Sequence, residues 1–498
     1  MDKTMKKYIL WMVITIVGFT SCSKDYLNPL PTNSVSDEQI FSSVSAAQTA
    51  LNAAHRYIGS YTNHTLAYIM SDVMGEDATV TSGAYGRPTY NWHMFSYSYS
   101  QEPSASPWWS GYSNYIWPNL YKAIDHANSI LAFVPELPDE PGKEDLIAKA
   151  YGVRGYSYLW LVRLFAVPYN VNPNAPGVIL RLEPAVATSD HLPRASVKDV
   201  YTQIIKDLLY AYDKCSPDNT DFITPKAAAL LLARAYLDMN DYPNAKKYAE
   251  FAAGNVFNGS NLMSKEEWQS GFKDHNSEWL WYHNFTPTTC NIYASIPSFY
   301  YHAEEYIGYE YGGWVDVEDM MTDKAVDMWD GYGTIRWTKA FVNMFEKDDV
   351  RKRFPFYFYE EDGFYTSKFG HRTMMGDAEF PMARIAEAYL IKAECEAHLG
   401  GNAKAVLNAL QVKRGATPTE GTLEKIYLER RKELYGEGHR LHDLRRLRQP
   451  LIRSKHPEHW AKVDLPADSP RMMLPLPENE MMHNKALTPN DQNEYWRK

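Results

Sequence analysis

Cysteine is scarce, with 4 in 498 residues. Beyond Cys22 the three others, Cys215, Cys290 and Cys395, match no zinc-ribbon or CxxC spacing. They read as small buried hydrophobes or incidental thiols. Positive charge is also short: 51 Lys and Arg stand against 61 Asp and Glu, a formal charge of −10. That is the wrong balance for a general nucleic-acid binder, which needs concentrated cations to neutralise phosphates. After the N-terminus there is no hydrophobic run long enough to span a bilayer. Motifs for catalysis are missing as well: no HExxH, no GxSxG elbow and no Walker loop. Gly331-Tyr332-Gly333 lacks the third glycine of a dinucleotide site. A chain with 61 acidic residues always holds some carboxylate pair, so a glycosidase has no specific support.

What the chain does have is an apolar share of 45% and an excess of tyrosine, 37 against 19 Phe, with 14 Trp. This is globular composition, enough for one large domain or two to three ordinary ones. Rings with a polar edge suit surfaces that bind something half wet. At the start, Lys3, Lys6 and Lys7 precede the apolar run from Tyr8 to Phe19. The run is too short for a membrane span, which takes about 20 residues, and reads as an export signal. It ends Phe19-Thr20-Ser21-Cys22, similar to a bacterial lipoprotein signal in which Cys22 is acylated. Residues 1–21 would then be the signal peptide, 22–35 a polar tether and 36–498 a single domain.

Helical texture dominates the rest. Ser36-Asp37-Glu38-Gln39 offers a capped, acidic first turn, and Phe41, Val44, Ala47, Leu51, Ala54 and Ile58 then follow one apolar face. Thr224-Pro225 puts a capping hydroxyl before a proline at the first helical position. Ala233, Tyr236, Ala245 and Ala252 have the spacing of a tetratricopeptide helix pair, with Asn240-Asp241-Tyr242-Pro243 at the turn. The step from Ala233 to Ala245 recurs from Ala393 to Ala405, across Gly400-Gly401. Two unrelated antiparallel helix hairpins would share the same features. The expected fold is mainly α: a tetratricopeptide-like helical scaffold over about 36–61, 117–254 and 381–450. Irregular, minor-β insertions are expected over about 62–116 and 255–380.

A set of motifs in order along the chain resembles the SusD/RagB family of outer-membrane nutrient-binding lipoproteins. They are Cys22-Ser23-Lys24-Asp25-Tyr26-Leu27; Trp117-Pro118-Asn119-Leu120-Tyr121 with Ala127-Asn128; Arg154-Gly155-Tyr156 through Phe165 and Pro168; and Arg194-Ala195-Ser196-Val197 with Asp207-Leu208. Near the C-terminus come Glu429-Arg430-Arg431-Lys432-Glu433-Leu434, then Glu437-Gly438-His439-Arg440-Leu441-His442-Asp443-Leu444-Arg445-Arg446, and Leu474-Pro475-Leu476-Pro477. Ala166 and Val167 replace a glycine usual in the segment from Arg154 to Pro168. The resemblance implies a surface-exposed, non-catalytic lipoprotein of the outer membrane. Its partner would be a SusC-like TonB-dependent transporter, and its ligand a glycan or, in one branch of the family, a peptide. It implies no cofactor and no metal, so His439 and His442 belong to a structural turn and helix. Arg440 is expected to pair with Asp443 or Glu433. The basic run Arg445, Arg446, Arg448, Arg453 and Lys455 reads as a solvated helix face.

Sugars present apolar C–H faces and hydroxyl edges, so a glycan platform needs exposed rings with amide, carboxylate or guanidinium groups at the rim. Residues 85–121 and residues 279–314 hold twelve aromatics each. Rings on amphipathic helices, such as Trp117 and Tyr121, are packing. Those beside glycine and turn residues are the better candidates for exposure: Trp92, Trp109, Tyr300, Tyr309 and Trp314. With the polar neighbours Asp77, Arg87 and Asn91 they form the expected ligand site.

Overall fold

The computed structural model describes residues 40–60, 66–80, 113–185, 191–218, 220–290, 295–300, 334–354, 363–372 and 376–497. The first half is a run of helices: α1 (Val44–Gly59), α2 (Leu66–Val73), α3 (Ser113–Phe133), α4 (Lys143–Phe165), α5 (Val197–Lys214), α6 (Pro225–Asp238) and α7 (Tyr242–Ala252), with strand β1 (Ala78–Val80) after α2. The second half holds α8 (Lys265–Gln269), β2 (Trp279–Phe285), α9 (Ile296–Tyr300), β3 (Ile335–Trp337), α10 (Lys339–Val342) and β4 (Ala378–Arg384). It continues with α11 (Ile385–Leu399), α12 (Ala403–Lys413), α13 (Leu423–Leu434) and α14 (Arg440–Arg446). No described helix is long and apolar enough to cross a membrane.

Capping fixes where the helices begin. Ser43, Ser196, Thr224, Asp241 and Asn402 each accept an N–H of the first turn, and Pro225 occupies the first position of α6 as expected. The cap of α1 is Ser43, whose Oγ accepts from Ala46 at 3.1 Å; the Ser36–Gln39 turn lies outside the described residues. Each helix then packs on its neighbour: α1 on α3 and α4, α3 on α4, α4 on α5, α5 on α6, α6 on α7, and α7 on α11. In turn α11 packs on α12 and α13. The result is a stack of antiparallel pairs.

The second helix pair departs from the expected register. Ala393 is fully buried, but Ala405 points to solvent. The packing face of α12 is Ala403, Val406, Leu407 and Leu410, the i, i+3, i+4, i+7 stripe of a helix begun at Ala403. Ala405 falls off that stripe, and Val406 takes the position that Ala245 holds in α7.

Motif residues meet inside the stack. The guanidinium of Arg154 on α4 donates twice to Asp207 on α5, both at 2.8 Å, and once to Asn128 on α3 at 2.8 Å. Asn128 spends its amide protons on the carbonyls of Arg181 and Glu183. Three separated sequence motifs are thus one buried network, complete in its hydrogen bonds. Strand β4 pairs antiparallel with β2, with Trp281 opposite Ala383 and Phe285 opposite Ala378. This seats Trp281 in the core, edge-on to Tyr156 at 5.1 Å. Cys215 and Cys395 are buried, Cys290 half-buried, and none of the three forms a disulfide.

Candidate ligand-binding site

The two insertions expected over about 62–116 and 255–380 are rooted side by side. Strand β1, from the first, pairs antiparallel with β3, from the second: Ala78 with Trp337, Thr79 with Arg336, Val80 with Ile335. The Asp77 carbonyl extends the pairing by accepting Thr338 N–H at 2.9 Å. A second tie joins Tyr300, at the end of α9, to Asp72, at the end of α2, through a 3.2 Å hydrogen bond donated by the phenol. Residues more than two hundred positions apart therefore share one base.

That base is clamped from below by the C-terminal signature. Gly438 has φ +74°, and a Cβ there would fall 2.8 Å from the Cα of Tyr68. Only glycine lets the chain lie this close to α2 in that conformation. The approach lets Gly438 N–H donate to Asp72 at 3.0 Å. Arg440 donates to both oxygens of Glu76, and Arg431 to both oxygens of Asp77. Arg453 caps the carbonyls of Val73 and Gly75 at 2.7 and 3.0 Å. His459 Nε2 meets the Glu76 carbonyl at 2.8 Å, and Trp460 Nε1 donates to the Val80 carbonyl at 2.7 Å.

Electrostatics follow from this burial. Burial raises the Asp72 carboxyl to about 7, against the opposing pull of the Gly438 N–H and the Lys368 cation. Glu76 is buried too, but Arg440 and Arg431 beside it outweigh burial and hold it down to about 2. Burial, with Arg453 close by, pushes His459 down to about 3, which leaves a neutral ring to donate to the carbonyl. Beneath lies a nearly dry cluster of ions. Arg384 bonds Glu278, Glu433 and Glu437 at 2.8, 2.6 and 2.7 Å, and Arg414 bonds Glu278 and Glu433 at 2.9 and 2.8 Å. Lys368 joins Glu437 at 2.6 Å.

Several expectations need correction here. Tyr300 is not exposed: its side chain is interior, near-parallel to Trp337 at 6.1 Å and Phe369 at 5.4 Å. Asp77 is buried, and both its carboxylate oxygens are taken by Arg431. Arg440 pairs with Glu76 rather than with Asp443 or Glu433. Of the basic run, Arg445, Arg446 and Arg453 are buried and bonded inside, Arg446 to Glu394 and Asp443; only Arg448 and Lys455 face solvent. Asp77 and Tyr300 are thus both buried and bonded within the base. Arg87, Asn91, Trp92, Trp109, Tyr309, Trp314 and Cys22 lie outside the described residues. Reasoning from sequence missed the supporting role of Arg431 and Arg453. The one local signal was Gly438, whose neighbours Glu437 and His439 mark an unusual backbone.

Known proteins resemble this chain along almost its whole length. Residues 25–237 match a family described as starch-binding and associating with the outer membrane, and residues 239–496 match the SusD family. A SusD-like protein P2 of Formosa agariphila is 24% identical, covering 98% of this chain and 99% of its own length. Among solved structures, a putative sugar-binding protein of Bacteroides vulgatus is 26% identical with a TM-score of 0.73, covering 90% of this chain and 98% of its own. A laminarin-binding SusD-like protein superposes with a TM-score of 0.69 at 20% identity, over 91% of this chain and 99% of its own.

Proposed function

The chain belongs to the SusD family, and from that premise we propose that it is a surface lipoprotein that captures glycan without covalent chemistry and passes it to a SusC-like TonB-dependent transporter. The observation that carries this reading is the shared root of the two aromatic-bearing insertions, joined by β1 with β3 and by Tyr300 with Asp72. Rings that leave one rigid base from two directions can face the same ligand, and a rigid base is what a preorganised site requires. The names of two relatives, one laminarin-binding and one sugar-binding, support a glycan as the ligand. In this reading Trp92, Trp109, Tyr309 and Trp314 are the stacking surface, and Arg87 and Asn91 bond the hydroxyl rim. Acylated Cys22 holds the protein at the outer membrane, since several acyl chains together give a stable anchor.

Affinity electrophoresis of the full chain through gels containing a panel of polysaccharides tests the proposal. Retardation by at least one polysaccharide, lost in Trp92→Ala or Trp314→Ala with the fold intact by circular dichroism, is the expected result. Retardation unchanged in both variants would remove these positions from the site. Peptides carried through purification, with no polysaccharide retarding the protein, would turn the assignment to a peptide ligand. Release of reducing ends over time would replace capture with hydrolysis.

A further inference from the structure

A separate cleft of about 490 Å³ opens between the last turns of α1 and the outer part of β2. Clefts that hold small molecules run from about 300 to 1,000 Å³. Its walls include His55 and Arg56 on α1, Asp221 and Phe222 in the loop before α6, Tyr282 and Asn284 on β2, and Thr288 in the loop after β2. Gly59 makes the geometry feasible. A Cβ there would lie 1.8 Å from the His283 ring, so only a bare backbone lets β2 come this close to the helix end.

The wall holds a polar group with nothing to bond. His55 is 7% exposed, set edge-on to Phe222 at 4.5 Å and to Trp281 at 5.6 Å. Its Nε2 is buried and has no hydrogen-bond partner among the described residues. The ring also lines the cleft. An imidazole left unsatisfied costs about 1–3 kcal/mol, so one on a cleft wall points to a partner that arrives from outside. Burial, with His283 and Lys149 nearby, lowers His55 to about 3. The ring is therefore neutral, and an imidazole nitrogen can give a hydrogen bond to a hydroxyl or take one from it.

The rest of the wall narrows the chemistry. Phe222 and Tyr282 supply ring surface, and Asp221 is held in place by the Tyr282 phenol. Asn284 accepts from Arg372 at 3.1 Å through its oxygen, which leaves its amide protons for another partner. Arg56 is exposed and makes no bond to any described residue. One guanidinium and one carboxylate balance, with neutral imidazoles between them. An anionic ligand would need more than Arg56 to offset its desolvation. We propose that this cleft is a second binding site, for a short neutral saccharide whose hydroxyls bond the His55 ring, Arg56 and Asn284. The existence of the site rests on the cleft itself; the choice of a saccharide also leans on the glycan reading above.

Isothermal titration of the full chain in detergent micelles with laminaritriose, xylotriose, mannotriose and maltotriose provides the test. At least one trisaccharide should bind, and both His55→Phe and Arg56→Ala should weaken it by about tenfold. A Trp92→Ala, Trp314→Ala double variant should leave that binding in place. Arg56 is on the surface, so Arg56→Ala remains informative even if near-ultraviolet circular dichroism shows that His55→Phe has lost its packing. A trisaccharide that binds both cleft variants as tightly as the parent overturns the second site and leaves glycan capture standing. So does the absence of any trisaccharide binding while polysaccharides still retard the protein. If neither trisaccharides nor polysaccharides bind, both proposals fall together.

Discussion

The helix α6 and the clamp around α13 and α14 are both buried but are held together by opposite chemistry. In α6, Ala227, Ala228, Ala229, Ala233 and Ala235 are wholly buried, and small side chains let neighbouring backbones close in. In the clamp the wholly buried groups are charged: Arg351, Arg414, Glu278 and Glu433. An apolar contact tolerates any partner of suitable shape, whereas a buried ion needs its counter-ion and its hydrogen bonds in place. The stack is therefore a forgiving frame, and the clamp is an all-or-none joint beneath the two insertions.

Four measurements would sharpen or break this contrast. The largest effect is expected for Arg384→Met, which leaves Glu278, Glu433 and Glu437 short of a cation; urea unfolding should show a loss of about 3–5 kcal/mol. A smaller loss than that of a packing variant in α6 would end the distinction between frame and joint. Next is Asp72→Asn, read by melting temperature from pH 5 to pH 8. The folded value of Asp72, about 7, lies above its ordinary 3.8. The native state therefore holds this proton more tightly than the unfolded chain, a gain present at low pH and lost as pH rises through 7. The parent should lose stability relative to the variant over that interval, and parallel curves would refute the assignment. Ala233→Leu, which overpacks the α6 contact, should cost about 1–3 kcal/mol. Least of all, Lys404→Ala removes a 2.7 Å ion pair to Glu420 on the surface and should change unfolding by no more than about 1 kcal/mol.

The candidate site was only partly legible in the sequence. Aromatic density located two segments, and their described roots do meet, yet density gave no means of telling a ring that faces a ligand from one that fills a core. Tyr300 follows Ser298 and Phe299 in a segment that reads as surface texture, but it closes against Trp337 and Phe369, drawn from other parts of the chain. Asp77 reads as a rim carboxylate and is instead the counter-ion of Arg431, 354 positions away. For the cleft there was one quiet signal, the histidine at 55 beside the apolar stripe of Ala47, Leu51, Ala54 and Ile58.

What the sequence by itself determined was local: the helices, their caps and the apolar faces that stack them. Repeat spacing, a capping hydroxyl and a proline after it act within a turn or two of chain, so they are written where they operate. The family was also determined there, because its motifs keep their order along the chain. Only the tertiary structure decided which carboxylate each arginine meets, which rings go inward and that His55 Nε2 has no hydrogen-bond partner among the described residues. Those outcomes depend on charge and shape brought together across hundreds of residues, and a linear pattern carries no record of which distant groups will share a low-dielectric interior.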